Sequence, residues 1–142
     1  MVMNKRQKGQ VHVRQAMAVY ESRGWKCWHP GAKAQWIGPG RVISQSQDIW
    51  GCADFVARKE GQVIHCVQVK TGSEKDTTSD AAKARVKFDS LPPTECCKDV
   101  IMVKFPRHEW LVWTRWTGLD ATVLHWTEIG QKKLEEMLGE LV

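Results

Sequence analysis

The chain has 142 residues, of which 42% are apolar, and a formal net charge of +5. This length suits one domain with one core, and the apolar content argues against a disordered chain. No apolar run is long enough to cross a bilayer, and the N-terminal residues are basic and polar, unlike a signal peptide. We therefore expect an intracellular, cytoplasmic protein with no membrane partner.

The positive charge is concentrated in the first third of the chain. Before Asp48 the only acidic residue is Glu21. A basic region of this kind suits a polyanion such as nucleic acid, although a charged run is also typical of a solvated face. The basic residues of this region are Lys5, Arg6, Lys8, Arg14, Arg23, Lys26, Lys33 and Arg41.

The first elements of the chain follow from apolar spacing and from breakers. After a basic arm over residues 1–8, apolar residues at helical spacing predict a helix over 9–23, which Gly24 ends. A short strand is expected over 25–29. Residues 30–47 are rich in Gly, Pro and Ser and show no period, so we expect a long loop, and loops of this length are often functional.

Two strands come next, over 54–59 and 62–70, and Glu60-Gly61 supplies the turn between them. In the second strand apolar and polar residues alternate. This alternation puts Gln68 and Lys70 on the same side of the sheet, two residues apart, so both can point at one spot.

The second half of the chain predicts two helices and two strands. A polar loop covers 71–80, and the last helix begins at a capping Thr127. The resulting order predicts a single α/β domain, in which helices flank a central mixed β-sheet. The elements of this half are a helix over 80–91, strands over 99–105 and 109–116, and a C-terminal helix over 127–142.

The five cysteines form no CxxC pair, and an odd count does not suit a disulfide framework. We interpret them as buried free thiols. A zinc site that uses Cys27 and His29 is an alternative without further support.

Three of the eight tryptophans lie on one predicted strand. Trp113 points opposite to Trp110 and Trp116, because side chains alternate along a strand. One side should lie in the core. We expect a dimer interface to cover the other side, with stacking on opened DNA bases as a weaker alternative.

Asp54, Gln68 and Lys70 are the candidate catalytic residues of this sequence. Phosphodiester hydrolysis needs oxygen ligands for a divalent metal and a cation that stabilises charge on the phosphate. An acid at one strand and a Gln-x-Lys on the next can supply both. A lysine that simply ends a strand in solvent is the alternative.

The order Asp54, then Gln68-Val69-Lys70, resembles the core of the PD-(D/E)xK nucleases. A wider pattern is similar to the archaeal-type, Hjc-like Holliday junction resolvases, including phage-encoded relatives. It consists of Lys8-Gly9, an arginine-containing helix that ends at Gly24-Trp25, and the segment GCADFVA at 51–57. The resemblance runs from about residue 5 to about residue 105, which is most of the chain.

The resemblance implies a restriction-endonuclease-like core and a homodimeric crossover junction endodeoxyribonuclease. Such a phosphodiester hydrolase uses Mg²⁺, for which Mn²⁺ can substitute, needs no small-molecule cofactor, and resolves four-way DNA junctions by paired nicks. Carried over by position, Asp54 and Gln68 are metal ligands, the Val69 carbonyl is a third, and Lys70 contacts the scissile phosphate or the attacking water. The residues expected to contact DNA are Lys5, Arg6, Lys8, Arg14, Lys33, Arg41 and Ser44.

This chain departs from the family at two positions. Gln68 stands where the family usually has Glu, which removes a negative charge although an amide oxygen can still bind Mg²⁺. Val13 stands where the first helix tends to carry Glu, and His12 or Gln10 could do part of that work. Asp48 is the candidate for a compensating ligand, because Gly51 lets the chain turn between Asp48 and Asp54 and so could bring both carboxylates to one metal. A turn-capping Asp48 is the alternative.

Two other functions remain open. The first is a nuclease of the same core that cuts duplex or single-stranded DNA. The second is a DNA-binding module with a degenerate core, in which Gln68 and Val13 record lost catalysis.

Overall fold

The computed structural model describes residues 5–30, 32–38, 41–46, 49–72, 79–92, 96–105, 107–117 and 124–142. These ranges form one α/β domain. None of the described helices has both the length and the apolar character that crossing a membrane requires. The helices are α1 (Lys5–Glu21), α2 (Ser79–Asp89) and α3 (Gly130–Leu138). The strands are β1 (Lys26–Trp28), β2 (Ala32–Gly38), β3 (Arg41–Ser46), β4 (Phe55–Arg58), β5 (Ile64–Thr71), β6 (Cys97–Lys104), β7 (Leu111–Thr117) and β8 (Leu124–Glu128).

A six-stranded sheet organises the domain, with the order β1-β4-β5-β6-β7-β8. β5 and β6 run parallel, and the other neighbouring pairs are antiparallel. A parallel pair needs a crossover connection, and α2 lies in the segment between these two strands. The predicted mixed sheet flanked by helices is therefore confirmed.

Both faces of the sheet are covered, which makes β5 a buried central strand. On one face, Val67 and Val69 pack in a cluster with Tyr20 of α1 and Leu134 of α3. On the other face, Cys66 packs in a second cluster with residues of α2. Alternate residues of β5 therefore enter two different cores, as the period-2 pattern of the sequence predicts.

A buried arginine attaches α2 to the sheet. Arg115 of β7 donates to the carbonyl oxygen of Phe88 at 2.7 Å and pairs with Asp99 of β6 at 2.6 Å. The last carbonyls of a helix have no partner within the helix, and a cation at that end interacts favourably with the helix dipole. Arg115 thus fixes the C-terminal end of α2 against β6 and β7.

The helix and strand predictions of the first half are confirmed except in two places. The predicted loop over 30–47 is wrong, because β2 and β3 pair there as a separate antiparallel hairpin. This hairpin forms its own two-stranded sheet and is not a strand pair of the six-stranded sheet, so it does not need the apolar alternation of a core strand. The predicted arm over 1–8 is wrong from Lys5 onward, since α1 begins there. Gly24 does follow the helix, with a φ of 83°.

At the C-terminal end, Thr127 does not cap the last helix. Thr127 lies in β8, which pairs with the edge of β7 and was not predicted. The helix α3 begins at Gly130, and Ile129 precedes it without a side-chain cap. The polar residues before α3 have the composition of a helix start, but pairing with β7 satisfies their backbone groups instead.

The expectation that a dimer interface covers one side of this strand gains no support from Trp110 and Trp113. Trp110 and Trp113 are both buried, in the two clusters on opposite faces of the sheet. Both faces are covered by helices of the same chain, so these two side chains carry no argument for a dimer. The side chain of Trp116 lies outside the described residues. Among the tryptophans whose side chains the structure describes, Trp28 and Trp50 are the exposed ones, at 59% and 69%.

The cysteines are free thiols, as predicted, but not all are buried. Cys52 and Cys66 are buried, Cys27 and Cys97 are half-buried, and Cys96 is exposed. His29, the suggested partner of Cys27, is also exposed.

His65 lies in the core beside Tyr20, whose hydroxyl is 2.9 Å from the Nδ1 atom of the imidazole. Burial, and to a lesser degree the positive charge of Lys98, lower the pKa of His65 from 6.5 to about 4. The folded protein therefore keeps this imidazole neutral at pH values where the unfolded chain protonates it.

We expect the free energy of unfolding to fall as the pH drops from about 6.5 to about 4, because only the unfolded chain binds this proton there. The full contribution of His65 is roughly 3 kcal/mol. Urea denaturation at pH 7 and at pH 4.5 measures it. The His65→Gln variant, whose side chain does not titrate, should lose most of this pH dependence. An unchanged pH dependence in that variant would contradict the account.

Candidate active site

Asp54 lies immediately before β4 and is hydrogen-bonded to β5 in two ways. Its backbone N–H donates to the Val67 carbonyl at 2.8 Å, and its Oδ2 atom accepts the backbone N–H of Val69 at 2.7 Å. The two bonds fix both the main chain and the side chain of Asp54. Its half-buried carboxylate is therefore held against β5 at the point where the β4 ladder ends.

A tight turn delivers Asp54 to this position. Ile49 and Ala53 exchange two backbone hydrogen bonds, of 2.8 and 3.1 Å. Between them, Trp50 and Gly51 adopt positive φ angles of 53° and 68°. Left-handed backbone is unusual for a bulky residue such as tryptophan and is retained where the surrounding structure imposes it. The turn expected at Gly51 is thus present, whereas Asp48 lies outside the described residues.

Gln68 and Lys70 follow one another on the face of β5 that packs against α2. Gln68 is buried, with 7% of its surface exposed, and Lys70 is half-buried at the end of the strand. Phe55 pairs with Val67, so Asp54 lies across from Gln68 on the neighbouring chain segment. The structure therefore brings the predicted acid and the Gln-Val-Lys segment to one edge of the sheet.

The Val69 carbonyl points toward the same edge as the Asp54 carboxylate. Within a strand, the N–H and C=O of one residue point to the same side. Because the Val69 N–H donates to Asp54, the Val69 carbonyl also faces the side on which β4 has ended. It is available to a ligand that lies beside Asp54.

These oxygen donors fit a hard divalent cation. The Asp54 carboxylate, the Gln68 amide and the Val69 carbonyl are ligands that Mg²⁺ accepts, and Mg²⁺ keeps several waters in such sites. Asp54 supplies the only negative charge of this donor set. A cation held by one carboxylate and two neutral oxygens is bound more weakly than one held by two carboxylates.

The first helix presents a histidine at this end of β5. His12 of α1 is half-buried, and its Nδ1 atom lies 2.6 Å from the hydroxyl of Thr71, the residue after Lys70. Val13, at the position of the expected acid, packs against the core cluster that contains Tyr20. α1 therefore brings an imidazole to the strand end, where the family resemblance implies a carboxylate. Thr71 was missed in the sequence, although its place directly after Lys70 was a usable signal.

The residues expected to contact DNA lie on α1 and on the β2–β3 hairpin. Arg14 is exposed on α1. Arg23, another member of the basic region, instead binds within the chain, to the Gly139 carbonyl and to Glu135 of α3. The side chains of Lys5, Arg6 and Lys8 on α1, of Lys33 on β2, and of Arg41 and Ser44 on β3 lie outside the described residues.

No family profile matches the sequence, and no curated protein matches it. Among solved structures, the chain is similar to Hjc from Archaeoglobus fulgidus, a Holliday junction resolvase from an archaeal hyperthermophile. The identity is 16%, the match covers 95% of this chain and 98% of that one, and the TM-score is 0.49. It is also similar to the protein SSO0001, with 12% identity, coverage of 91% of this chain and 54% of that one, and a TM-score of 0.38.

We expect the Gln68→Glu variant to bind divalent cations more tightly, because it adds a second carboxylate to the donor set. An approximately tenfold lower dissociation constant for Mn²⁺ is the expected size. Titration calorimetry or Mn²⁺ electron paramagnetic resonance measures this constant without any DNA. The Gln62→Glu variant adds the same charge at an exposed position near the β4–β5 turn and serves as the matched control. Equal affinities in the two variants would show that Gln68 does not face the cation.

Proposed function

We propose that this chain is a Mg²⁺-dependent, structure-selective endodeoxyribonuclease that resolves four-way DNA junctions by paired nicks. The observation that carries the proposal is the Asp54 carboxylate, fixed at 2.7 Å from the Val69 N–H. It lies beside the strand that carries Gln68 and Lys70. The sequence resemblance to archaeal-type Holliday junction resolvases supports the substrate class and extends over most of the chain.

The chain's own residues have separate roles in this mechanism. Mg²⁺, when bound, would activate a water and stabilise charge on the phosphate. Asp54 holds the cation with a carboxylate whose direction the Val69 N–H sets. Gln68 and the Val69 carbonyl add neutral oxygens. The Lys70 ammonium, at the end of the same strand, donates to a non-bridging oxygen of the scissile phosphate or to the attacking water.

Basic residues hold the DNA on either side of the scissile phosphate. Arg14 on α1 is exposed and available for such a contact. Lys5, Arg6, Lys8, Lys33, Arg41 and Ser44 complete the proposed surface. Contacts to phosphate position DNA without reading its sequence, so recognition is by the shape of the junction.

A homodimer suits this substrate. A four-way junction offers two equivalent strands to cut, and a two-fold dimer presents two equivalent sites. The whole chain, residues 1–142, would act as one nuclease domain in each subunit.

The test is cleavage of a labelled four-way junction beside a linear duplex of matching sequence, with Mg²⁺ or with EDTA. We expect paired nicks in the junction alone, lost in EDTA. Asp54→Asn keeps an oxygen that can accept the Val69 N–H and removes the charge, so it should cut at least about a hundredfold more slowly. Lys70→Ala should lose a similar factor, about a hundredfold. Lys83→Ala, at an exposed position of α2, is the control and should cut normally.

Other outcomes would replace the proposal with a specific alternative. Equal cutting of the linear duplex would indicate a nuclease of the same core with a different substrate. Binding of the junction without cleavage at any Mg²⁺ or Mn²⁺ concentration would indicate a DNA-binding module. Full activity in Asp54→Asn would show that the site lies elsewhere.

Junction affinity should fall steeply with salt, because each phosphate contact releases counterions from DNA. We expect Arg14→Ala to lower the slope of log affinity against log salt by about one, as for the loss of one phosphate contact. Fluorescence anisotropy in EDTA, where no cleavage occurs, gives this slope. Lys83→Ala, on α2 and therefore on the other face of the sheet from Arg14, should keep the wild-type slope. Affinity that stays flat as salt rises would contradict the proposed surface.

A further inference from the structure

Two thiols meet on a diagonal across the parallel strands β5 and β6, two residues apart in the strand register. The Sγ atoms of Cys66 and Cys97 lie 2.6 Å apart. The strand register pairs Ile64 with Cys97 and Cys66 with Asp99, so both thiols project from the same face of the sheet. The next side chain of β5 on that face is Gln68.

The two thiols differ in access and in charge. Cys66 is 2% exposed, whereas Cys97 is half-buried and can be reached from solvent. The two sulfurs share a hydrogen bond in which either thiol can donate, and with Cys66 as the donor the bond lowers the pKa of Cys97. Cys97 is therefore the thiol that a small oxidant meets first, and it is the one that more readily becomes a thiolate.

Asp99 makes a metal centre a possible use of this cluster, since its carboxylate lies near both sulfurs. The geometry favours another chemistry. Tetrahedral zinc with Zn–S bonds of about 2.3 Å would hold two sulfurs about 3.8 Å apart. The Asp99 carboxylate is already bound by the Arg115 guanidinium at 2.6 Å, and that positive charge opposes a cation.

We propose that Cys66 and Cys97 form a peroxide-sensitive dithiol, which closes to a disulfide between β5 and β6. The Cys97 thiolate attacks one oxygen of hydrogen peroxide, the O–O bond breaks, and hydroxide leaves and is protonated to water. The sulfenic acid on Cys97 is then attacked by the sulfur of Cys66. The S–O bond breaks, a second water leaves with the Cys66 proton, and the two thiols have together given two electrons to one peroxide.

The disulfide would tie β5 to β6 one side chain before Gln68. Oxidation of the pair would then alter the position of β5 at the end of the strand that holds Lys70, beside Asp54. This consequence rests on the proposed nuclease function, whereas the disulfide itself does not. In a reducing compartment such a bond forms transiently, in response to oxidant, and a dithiol reductant reverses it.

The test maps disulfides in the full-length protein after hydrogen peroxide, with the remaining thiols alkylated before digestion and mass spectrometry. Trypsin leaves Cys66 on the peptide 60–70 but leaves Cys96 and Cys97 together on 88–98, so variants must assign the partner. We expect Cys96→Ser to form the cross-link as the wild type does. We expect Cys97→Ser to form it at least about tenfold less. Dithiothreitol should restore the free thiols.

Cys96→Ser is the decisive protein, because its substitution is at an exposed side chain and leaves Cys66 and Cys97 intact. A cross-link that disappears in Cys96→Ser would overturn the proposal. So would a Cys97 that is oxidised to sulfinic or sulfonic acid without any cross-link. One equivalent of zinc that resists EDTA and blocks both oxidation and alkylation of the pair would assign the cluster to a metal instead. These readouts need no DNA, so they stand apart from a failure of the proposed nuclease activity.

Discussion

The hydrogen bond from the Val69 N–H to the Asp54 carboxylate joins the fold of this protein to its candidate chemistry. β4 begins one residue after Asp54, so the side chain satisfies a backbone donor that a longer strand would have paired. A buried donor without a partner is costly, and the bond therefore stabilises the end of β5. The same bond directs the Asp54 carboxylate toward the end of β5 at which Lys70 lies.

The central position of β5 holds this end of the strand in place. Helices cover both faces of the strand, and β4 and β6 pair with its two edges. Gln68 is consequently buried, and its amide must find its partners among fixed neighbours. A neutral ligand in such a place lowers the affinity for a cation but leaves the geometry intact. The proposed site, with Gln68 as a neutral ligand, is thus compatible with binding at higher metal concentration.

Much of this arrangement can be read from the sequence, because it depends on local pattern. The alternation over 62–70 places Gln68 and Lys70 on one face, and Gly24 marks the end of α1. The hairpin of β2 and β3 has no such pattern, and it forms a two-stranded sheet of its own. Trp113 is buried because α2 packs across that face of the sheet. The spacing of residues along the chain gives no sign of this packing.

The residues of the site also differ in whether the sequence alone reveals them. Asp54 and Lys70 are recognisable by their spacing, whereas the contact between His12 and Thr71 joins residues 59 positions apart. The pairing of Cys66 with Cys97 depends on the parallel register of β5 and β6. The crossover through α2 makes the two strands parallel neighbours although they lie far apart along the chain, so the two thiols look unrelated in the sequence.

The most direct test of the account is the anomalous diffraction of manganese in crystals of the protein soaked with Mn²⁺. The account predicts a peak within coordination distance of the Asp54 carboxylate and the Val69 carbonyl, with the Gln68 amide oxygen beside it. The peak should be absent from crystals of Asp54→Asn. A peak only at Cys66, Cys97 and Asp99, or none under conditions that saturate binding in solution, would contradict the claim that this edge of the sheet is the metal site.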